Sequence, residues 1–324
     1  MRYKTEQQVW DGCRIMTLED TVTGSEAWIV PELGCNAVRL VLGGRTIVLP
    51  PPGLDELRRH ASLYGIPVLS PPNRVRYGRF TFDQRTHQLP LIIPQHHIHG
   101  ELKDLPWKVM RHEADEAGGA SLSCELRIPE HPGVYDYYPH ALVYRLTYTL
   151  LEGELRMHAE MVNEGALDAP FALGFHPYFH LTGREEEEAV LTLPAVSEWP
   201  IGEDRFVSGA PADGMRCASL REGMRLADLP ATGYLLFSLP PRAVCELDYG
   251  PSDGHKLVYE LSEGFPFLVL FRPQGGSEVS LEPYTCITDA FNYPEDESSY
   301  GRIRLRAGER SSFRWVMRLE AKQG

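Results

Sequence analysis

Four segments of the sequence concentrate polar residue types that can exchange protons or hold a metal ion. They lie in apolar or proline-rich surroundings at 70–78, 96–100, 174–180 and 282–292, the last after a polar turn at Gly275-Gly276. Taken singly, the candidates have ordinary structural explanations. His176 could be a core histidine, Glu282 a charge at a strand end, and Arg74 the cap of a loop. A functional argument therefore depends on the four segments in combination.

The histidines at 96, 97 and 99 raise the hypothesis of a metal site. His97 and His99 stand two residues apart, and a β-strand would place both imidazoles on one face. A metal-dependent β-barrel enzyme of the cupin type would add a glutamate a few residues later. Glu101 is too close to point the same way from a regular strand, and Lys103 stands where a carboxylate would be needed. The sequence therefore predicts no metal site, and the metal-dependent barrel is an outlying alternative.

Nucleophilic catalysis has weak support in this sequence. There is no Gly-x-Ser-x-Gly elbow that would expose a serine. Cys286 lies in a stretch of apolar and hydroxyl residues with no base beside it. The phosphate-binding pattern of two glycines followed by lysine is also absent. We therefore expect neither a nucleophilic serine or cysteine nor a phosphate-cradling loop.

Composition narrows the class of protein. Of the 324 residues, 43% are hydrophobic and 24% are charged, which is ordinary for a globular protein. The net charge of −13 disfavours nucleic acid and anionic membranes as partners. The chain shows neither a signal-peptide pattern nor an apolar run long enough to span a membrane, so we expect a cytoplasmic protein. The six scattered cysteines are expected to be buried reduced thiols.

The elements that must position the polar segments are strands. Alternation over 140–150, a turn at Glu152-Gly153-Glu154, and alternation over 155–161 predict a β-hairpin. The segment 169–175 is expected to extend it into a meander. Further strands are predicted at 21–30, 37–42, 257–261, 267–271 and 311–319, and one short helix at 54–64.

The strand pattern predicts the fold class. No alternation of strands and helices appears, which disfavours a doubly wound parallel sheet. The acidic run 185–188 and the segment 211–214 are interpreted as solvated loops. We see no internal repeat and no dividing linker. The sequence therefore predicts an all-β, antiparallel protein with a single domain over 1–324.

Taken together and in order, the four segments resemble the aldose 1-epimerase (galactose mutarotase) family from about residue 15 onward. The matching motifs are Asn73-Arg74 with Gly78 and Phe80, His99-Gly100, the run GFHPYFHL from Gly174 to Leu181, the strand FPFLVLFRP from Phe265 to Pro273, and Glu282-Pro-Tyr284. The resemblance implies a large antiparallel β-supersandwich of the galactose mutarotase-like type. It also implies cofactor-free isomerisation of a small sugar.

The same resemblance implies roles for individual residues. Opening a hemiacetal ring needs a base for the anomeric hydroxyl and an acid for the ring oxygen, each within about 2.6–3.2 Å of its oxygen. Glu282 would be the base and His176, as imidazolium, the acid. Arg74 and His99 would bind the substrate. The family's aspartate for two sugar hydroxyls has Asp228 as its nearest candidate.

Two alternatives share this resemblance. One is a hexose-6-phosphate 1-epimerase, for which Arg76 and Arg79 are available cations. The other is a non-catalytic carbohydrate-binding relative, in which His176 and Glu282 would not face one cleft. Because Arg74 is assigned to the sugar ring, Arg76 would hold a phosphate nearly alone. The sequence therefore favours a free, neutral aldose as substrate and a monomer or homodimer as the assembly.

Overall fold

A computed structural model describes residues 1–230, 233–273, 277–294 and 299–322 of the chain. The polar turn expected at Gly275-Gly276 lies outside these residues. The described strands pair antiparallel throughout the named sheets, so the all-β prediction is confirmed. In the described residues, no helix is long and apolar enough to cross a membrane.

The strands and helices are short and closely spaced along the chain. The strands are β1 Tyr3–Trp10, β2 Cys13–Asp20, β3 Ser25–Val30, β4 Asn36–Leu42, β5 Arg45–Val48, β6 Val68–Leu69, β7 Arg74–Val75, β8 Arg79–Phe82, β9 Arg85–Gln88, β10 His97–Ile98, β11 Lys108–Asp115, β12 Gly119–Arg127, β13 Leu142–Leu151, β14 Glu154–Asn163, β15 Ala169–Pro170, β16 Gly174–Phe175, β17 Tyr178–His180, β18 Val190–Thr192, β19 Ser197–Trp199, β20 Met224–Arg225, β21 Tyr234–Ser238, β22 Val244–Asp248, β23 His255–Leu261, β24 Phe267–Phe271, β25 Glu278–Tyr284, β26 Arg304–Leu305 and β27 Arg310–Ala321. The α-helices are α1 Leu54–Arg59, α2 Pro132–Tyr135, α3 Glu185–Glu188 and α4 Met215–Glu222, and 3-10 turns occupy Arg76–Gly78, Ile128–Glu130, Leu226–Asp228 and Ala290–Asn292.

Three large sheets enclose the main core. Strands β1 to β5 form a five-stranded sheet in chain order, and a nine-stranded sheet has the order β11-β12-β13-β14-β27-β23-β22-β18-β20. A seven-stranded sheet has the order β19-β21-β24-β25-β16-β6, with β17 also pairing with β25. One hydrophobic cluster takes side chains from all three sheets, for example Leu18, Tyr148 and Phe267. A smaller cluster lies between the five-stranded sheet and α1.

The predicted hairpin is confirmed as β13 and β14. Tyr148 pairs with Met157 and Leu150 with Leu155, and the apolar face of both strands is buried. The predicted third strand of a meander was wrong, because the neighbour of β14 is β27. Residues 169–175 are buried on every side, which is typical of a segment that crosses between sheets. Their two short strands pair with β26 and with β25 and β6 instead.

Three local predictions needed correction. Helix α1 ends at Arg59 rather than at residue 64, because the Asn36 side chain bonds the Tyr64 carbonyl and the Ile66 N–H and holds that segment in a turn. The strand expected from residue 21 begins at Ser25. The acidic run is helix α3 rather than a solvated loop, since Glu185 is buried and its carboxylate lies 2.7 Å from Arg45. The prediction of buried, unpaired cysteines is confirmed for all six.

Candidate active site

A cleft of about 840 Å³ lies on one face of the seven-stranded sheet. Successive residues of its short strands point to opposite faces. Phe175 packs edge-on against Trp315 of the nine-stranded sheet, and the next residue, His176, lines the cleft. Arg74, His99 and Glu282 line the same cleft. The structure therefore brings together all four site residues predicted from the sequence.

Strand β25 organises the centre of the cleft with three residues of one face. Glu282 Oε1 lies 3.2 Å from His176 Nε2. Two residues earlier, the Ser280 hydroxyl lies 2.8 Å from His176 Nδ1, and it donates its proton to the Pro177 carbonyl at 2.8 Å. Because a hydroxyl has one proton to donate, Ser280 accepts from Nδ1–H. The side of the imidazole that remains for Glu282 is therefore Nε2.

The third residue of this face, Tyr284, fixes the carboxylate. Its hydroxyl donates a hydrogen bond to Glu282 Oε2. Its ring can approach this closely because position 174 is glycine: a Cβ there would lie 2.5 Å from the Tyr284 ring and 2.7 Å from Pro72. Gly174 and Tyr284 are direct partners in the sheet. The glycine of the GFHPYFHL run therefore helps to position the glutamate.

Burial governs the charges of the pair. Glu282 is 2% and His176 is 5% exposed. Burial raises the pKa of Glu282 well above its usual value, although the hydrogen bond from Tyr284 and the charge of Arg74 both lower it. Burial also lowers the pKa of His176 to about 3. Because both shifts favour neutral groups, the pair holds one proton between Oε1 and Nε2 over a wide range of pH.

Arg74 and His99 are positioned by the two-stranded ladder of β7 and β10. Asn73 Oδ1 accepts hydrogen bonds from the Arg74 N–H at 2.9 Å and from Arg74 Nη1 at 3.3 Å. The Asn73 N–H donates to His99 Nδ1 at 3.3 Å. Burial, followed by the charge of His176, holds the pKa of His99 well below its usual value. A neutral His99 that accepts at Nδ1 carries its proton on Nε2 and can donate it to a ligand.

The histidines at 96, 97 and 99 have separate partners. His97 is buried with Nδ1 2.8 Å from the Pro90 carbonyl, whereas His96 Nδ1 accepts from the Tyr77 N–H. His99 alone of the three lines the cleft. The described residues contain no group of three or more histidine, cysteine, aspartate or glutamate side chains arranged to hold a metal ion.

The structure also shows which residues the sequence argument misplaced or missed. Asp228 is exposed, forms an ion pair with Arg225, and does not line the cleft. Arg76 is outside the cleft as well, with its guanidinium bound to Asp204 at 3.0 Å. The sequence argument missed Ser280, although polar residues at 280, 282 and 284 alternate with apolar ones in a strand, which is a readable signal. It also missed the cleft residues Tyr234 and Arg205, which have no local motif, and it gave no role to Tyr178 inside the GFHPYFHL run.

Known structures share this fold over nearly the whole chain. A galactose mutarotase-like protein from Clostridium acetobutylicum superposes with a TM-score of 0.90 at 23% identity, covering 99% of both chains. A galactose 1-epimerase from Lactobacillus acidophilus superposes with a TM-score of 0.80 at 21% identity, covering 99% of this chain and 100% of the other. The predicted galactose mutarotase-like supersandwich is thereby confirmed.

Sequence comparison agrees with the structural comparison. A galactose mutarotase of Rattus norvegicus is 27% identical over 191 residues, which is 56% of this chain and 54% of the relative. The uncharacterized protein YihR of Escherichia coli K12 is 26% identical over 179 residues, which is 54% of each. The chain thus spans about half the length of these curated relatives. The family model described as aldose 1-epimerase matches residues 16–318, so the chain belongs to the aldose 1-epimerase family.

Proposed function

We propose that this protein is an aldose 1-epimerase that interconverts the α and β anomers of an aldose by opening and reclosing its ring. The observation that carries the proposal is the approach of Glu282 Oε1 to within 3.2 Å of His176 Nε2 at the wall of one cleft. A carboxylate and an imidazole in this arrangement can reach two oxygen atoms bonded to the same carbon. Membership of the family supports the isomerase class.

In the first half of the proposed reaction, the Glu282 carboxylate accepts the proton of the anomeric hydroxyl. The His176 imidazolium donates its Nε2 proton to the ring oxygen. The bond between carbon 1 and the ring oxygen breaks, and the electrons of the former O–H bond complete the carbonyl. Rotation about the bond between carbons 1 and 2 presents the other face of that carbonyl. Closure then reverses both proton transfers and gives the other anomer with no net gain or loss of protons.

The charge state of the pair suits this sequence of transfers. Before ring opening the pair is a carboxylate and an imidazolium, and afterwards it is a carboxylic acid and a neutral imidazole. Burial favours the neutral forms of both groups. The enclosed site therefore lowers the free energy of the open-chain state relative to the same transfers in water. Ser280 holds Nδ1–H throughout, so both transfers to the histidine take place at Nε2.

Arg74 and His99 supply hydrogen-bond donors to the same cleft. Arg74 is held by Asn73 and keeps further N–H groups for sugar oxygens. His99 has its ring centroid 5.4 Å from that of His176 and carries its proton on Nε2. Donors at this place stabilise the negative charge that develops on oxygen as the ring opens. A carbohydrate-binding relative without activity is disfavoured by the direct contact between His176 and Glu282.

Substitution of the acid and the base tests the proposal. We expect Glu282→Gln and His176→Asn each to slow anomer exchange by several orders of magnitude, because each removes one of the two proton transfers. Polarimetry on freshly dissolved α-D-glucose and α-D-galactose measures the rate, and circular dichroism checks folding. Wild-type rates in either variant would remove that residue from the mechanism.

Matched substitutions outside the cleft serve as controls. Glu278→Gln repeats the glutamate substitution in the same strand, β25, and His158→Asn repeats the histidine substitution in β14. Neither Glu278 nor His158 lines the cleft. Both controls are expected to keep the wild-type rate. Equal losses in controls and site variants would show that the loss reflects folding and not proton transfer.

A further inference from the structure

The charges that line the cleft are unevenly matched. Among the described residues, its carboxylates are Asp104 and Glu282, and the five cations are Arg58, Arg59, Arg74, Lys103 and Arg205. Three of the cations have carboxylate partners: Arg58 with Asp55 at 2.7 Å, Arg59 with Glu56 at 2.9 Å and Lys103 with Asp104 at 2.7 Å. The two arginines that stay without a carboxylate partner within the described ranges are Arg74 and Arg205.

These two arginines are close enough to affect each other. Burial lowers the pKa of Arg74, and the charge of Arg205 lowers it further. Tyr234 lies beside both, with Arg74 5.8 Å from its ring centroid and its hydroxyl bonded to the Arg205 carbonyl at 2.8 Å. Two like charges facing one cleft cost free energy unless a ligand of opposite charge enters between them.

Arg205 is presented by a firmly anchored loop. Residues 202–206 form a tight turn in which the Gly202 N–H donates to the Phe206 carbonyl at 2.8 Å. Phe206 is fully buried, with the Arg76 guanidinium 3.9 Å from its ring centroid and the His96 ring edge-on at 5.0 Å. Asp204 binds Arg76. Arg76, which the sequence offered as a cation only for the hexose-6-phosphate alternative, thus holds the loop that carries Arg205.

The backbone at Arg205 is strained, and its guanidinium packs into a space that only a glycine at position 233 leaves open. Its φ of 67° lies in the left-handed region that arginine rarely adopts. The guanidinium lies over the backbone of Gly233, where a Cβ would collide with it. An ordinary solvated surface arginine needs neither a strained backbone nor a glycine beneath it. The arrangement therefore holds one guanidinium at the cleft while Arg205 as a residue stays exposed to solvent.

We propose that the preferred substrate is an aldose with an anionic group on carbon 6, whose oxygen atoms Arg205 binds together with Arg74. This inference rests on the proposed mutarotation and names the substrate class for that site. The shared chemistry is an oxyanion (phosphate ester, sulfate ester or carboxylate), which planar guanidinium groups bind through paired N–H···O bonds. Carbon 6 lies outside the sugar ring, so a group on it projects into the cleft that Arg205 lines while the anomeric carbon meets the buried pair.

This substrate class differs from the neutral sugar that the sequence favours. The expectation of a neutral sugar depended on the cations near Arg74 in the sequence, where only Arg76 was left to bind a phosphate. Arg205 enters the cleft from a loop more than a hundred residues later. The protein as a whole has a charge of −13. Two arginines of this cleft have no carboxylate partner among the described residues, although the charge of Glu282 acts on Arg74. They are a local exception that an anionic substrate accounts for.

Anomer exchange measured by magnetisation-transfer NMR tests the inference. Glucose, glucose 6-phosphate, glucose 6-sulfate and glucuronate are compared as catalytic efficiency, each after subtraction of its own uncatalysed rate. We expect at least one anionic sugar to exceed glucose by about tenfold or more. We expect Arg205→Gln to lower the efficiency for that sugar by about 10- to 100-fold, a larger factor than for glucose. Arg205→Lys, which keeps the charge, should restore part of the difference.

The control is Arg111→Gln, which removes one positive charge from a residue that does not line the cleft. It should leave the ratio between anionic and neutral sugars unchanged. If glucose exchanges at least as efficiently as every anionic sugar, or if Arg205→Gln lowers all sugars equally, the inference is wrong and the mutarotase function stands. If none of the four sugars exchanges faster than in buffer, the proposed function itself fails. A preference for only one of the three anionic sugars identifies which oxyanion the cleft binds.

Discussion

The chemistry of the site depends on a few atoms of one strand face. The Ser280 hydroxyl accepts from the imidazole, the Glu282 carboxylate faces its Nε2, and the Tyr284 hydroxyl donates to that carboxylate. Period-two alternation places them side by side without a loop or a flexible segment. Regular sheet geometry therefore positions Glu282 and the groups that hold it, which explains how two buried titratable groups keep a fixed separation.

The pH profile of Tyr284→Phe tests how the proton is shared. In the proposed mechanism the pair carries one proton, so we expect activity to be lost as pH rises through the raised pKa of Glu282. The Tyr284 hydrogen bond favours the carboxylate. Its removal should raise that pKa further, move the alkaline limb of kcat to higher pH, and lower kcat by about 10- to 100-fold. Polarimetry between about pH 5 and 10 measures the profile.

Tyr259→Phe is the matched control for that experiment. Tyr259 is also fully buried, and its hydroxyl has no partner among the described residues. It does not line the cleft, so its loss should leave both the profile and kcat unchanged. An alkaline limb that stays in place in Tyr284→Phe would contradict the assignment of Tyr284 as the group that holds the carboxylate.

At the scale of elements, the short strand β16 couples fold and site. Gly174→Ala would place a methyl group 2.5 Å from the Tyr284 ring. We expect a loss of about 1–3 kcal/mol in the free energy of unfolding, because overpacking forces the ring to move. Activity should fall as well, since the displaced ring releases Glu282. Urea denaturation and polarimetry measure the two effects.

Gly133→Ala serves as the control, because a Cβ at Gly133 meets nothing within 4 Å. Gly133 lies in helix α2, where alanine is favoured over glycine, so stability should stay equal or rise by up to about 1 kcal/mol. If Gly174→Ala behaves like this control, the close approach of Tyr284 is not what fixes the carboxylate.

The same scale explains what the sequence could and could not predict. The alternation of apolar and polar residues in β13 and β14 indicates which face is buried, so the hairpin and its two faces can be predicted from the sequence. The motifs around His176 and Glu282 likewise identify the pair. Residues 169–175 are buried on both sides and carry no alternation, so their partners are set by distant strands. Arg205 reaches the cleft through contacts with Gly233 and Tyr234, which no local pattern encodes.

At the scale of the whole molecule, buried histidines make stability depend on pH. Burial lowers the pKa of His97 to about 4, against an ordinary value of 6.5. Between these values the unfolded chain binds more protons than the folded one. The contribution of His97 is therefore complete above pH 6.5 and is lost as pH falls. His140, with a pKa also lowered to about 4 by burial, acts in the same direction.

Comparison of wild type with His97→Gln isolates this effect. When the pH is lowered from 7.5 to 5, the proton that His97 binds on unfolding should lower the free energy of unfolding of the wild type by roughly 2 kcal/mol. The variant lacks this contribution. Urea unfolding at both pH values gives the two differences. Groups that do not contact His97, such as His140, contribute equally to both proteins and cancel in the comparison. A pH dependence that is identical in the two proteins would contradict the prediction.

Strand β27 lies in the middle of the nine-stranded sheet, between β14 and β23, although it follows both in the chain. Leu155 therefore lacks its strand partner, Met317, until that residue has been synthesised. During synthesis on the ribosome, β14 and β23 both present open edges until residues 310–321 emerge, and open edges invite pairing with other chains. A nascent chain arrested before residue 310 therefore needs chaperone protection at two places. One released after residue 321 can close both with a single strand.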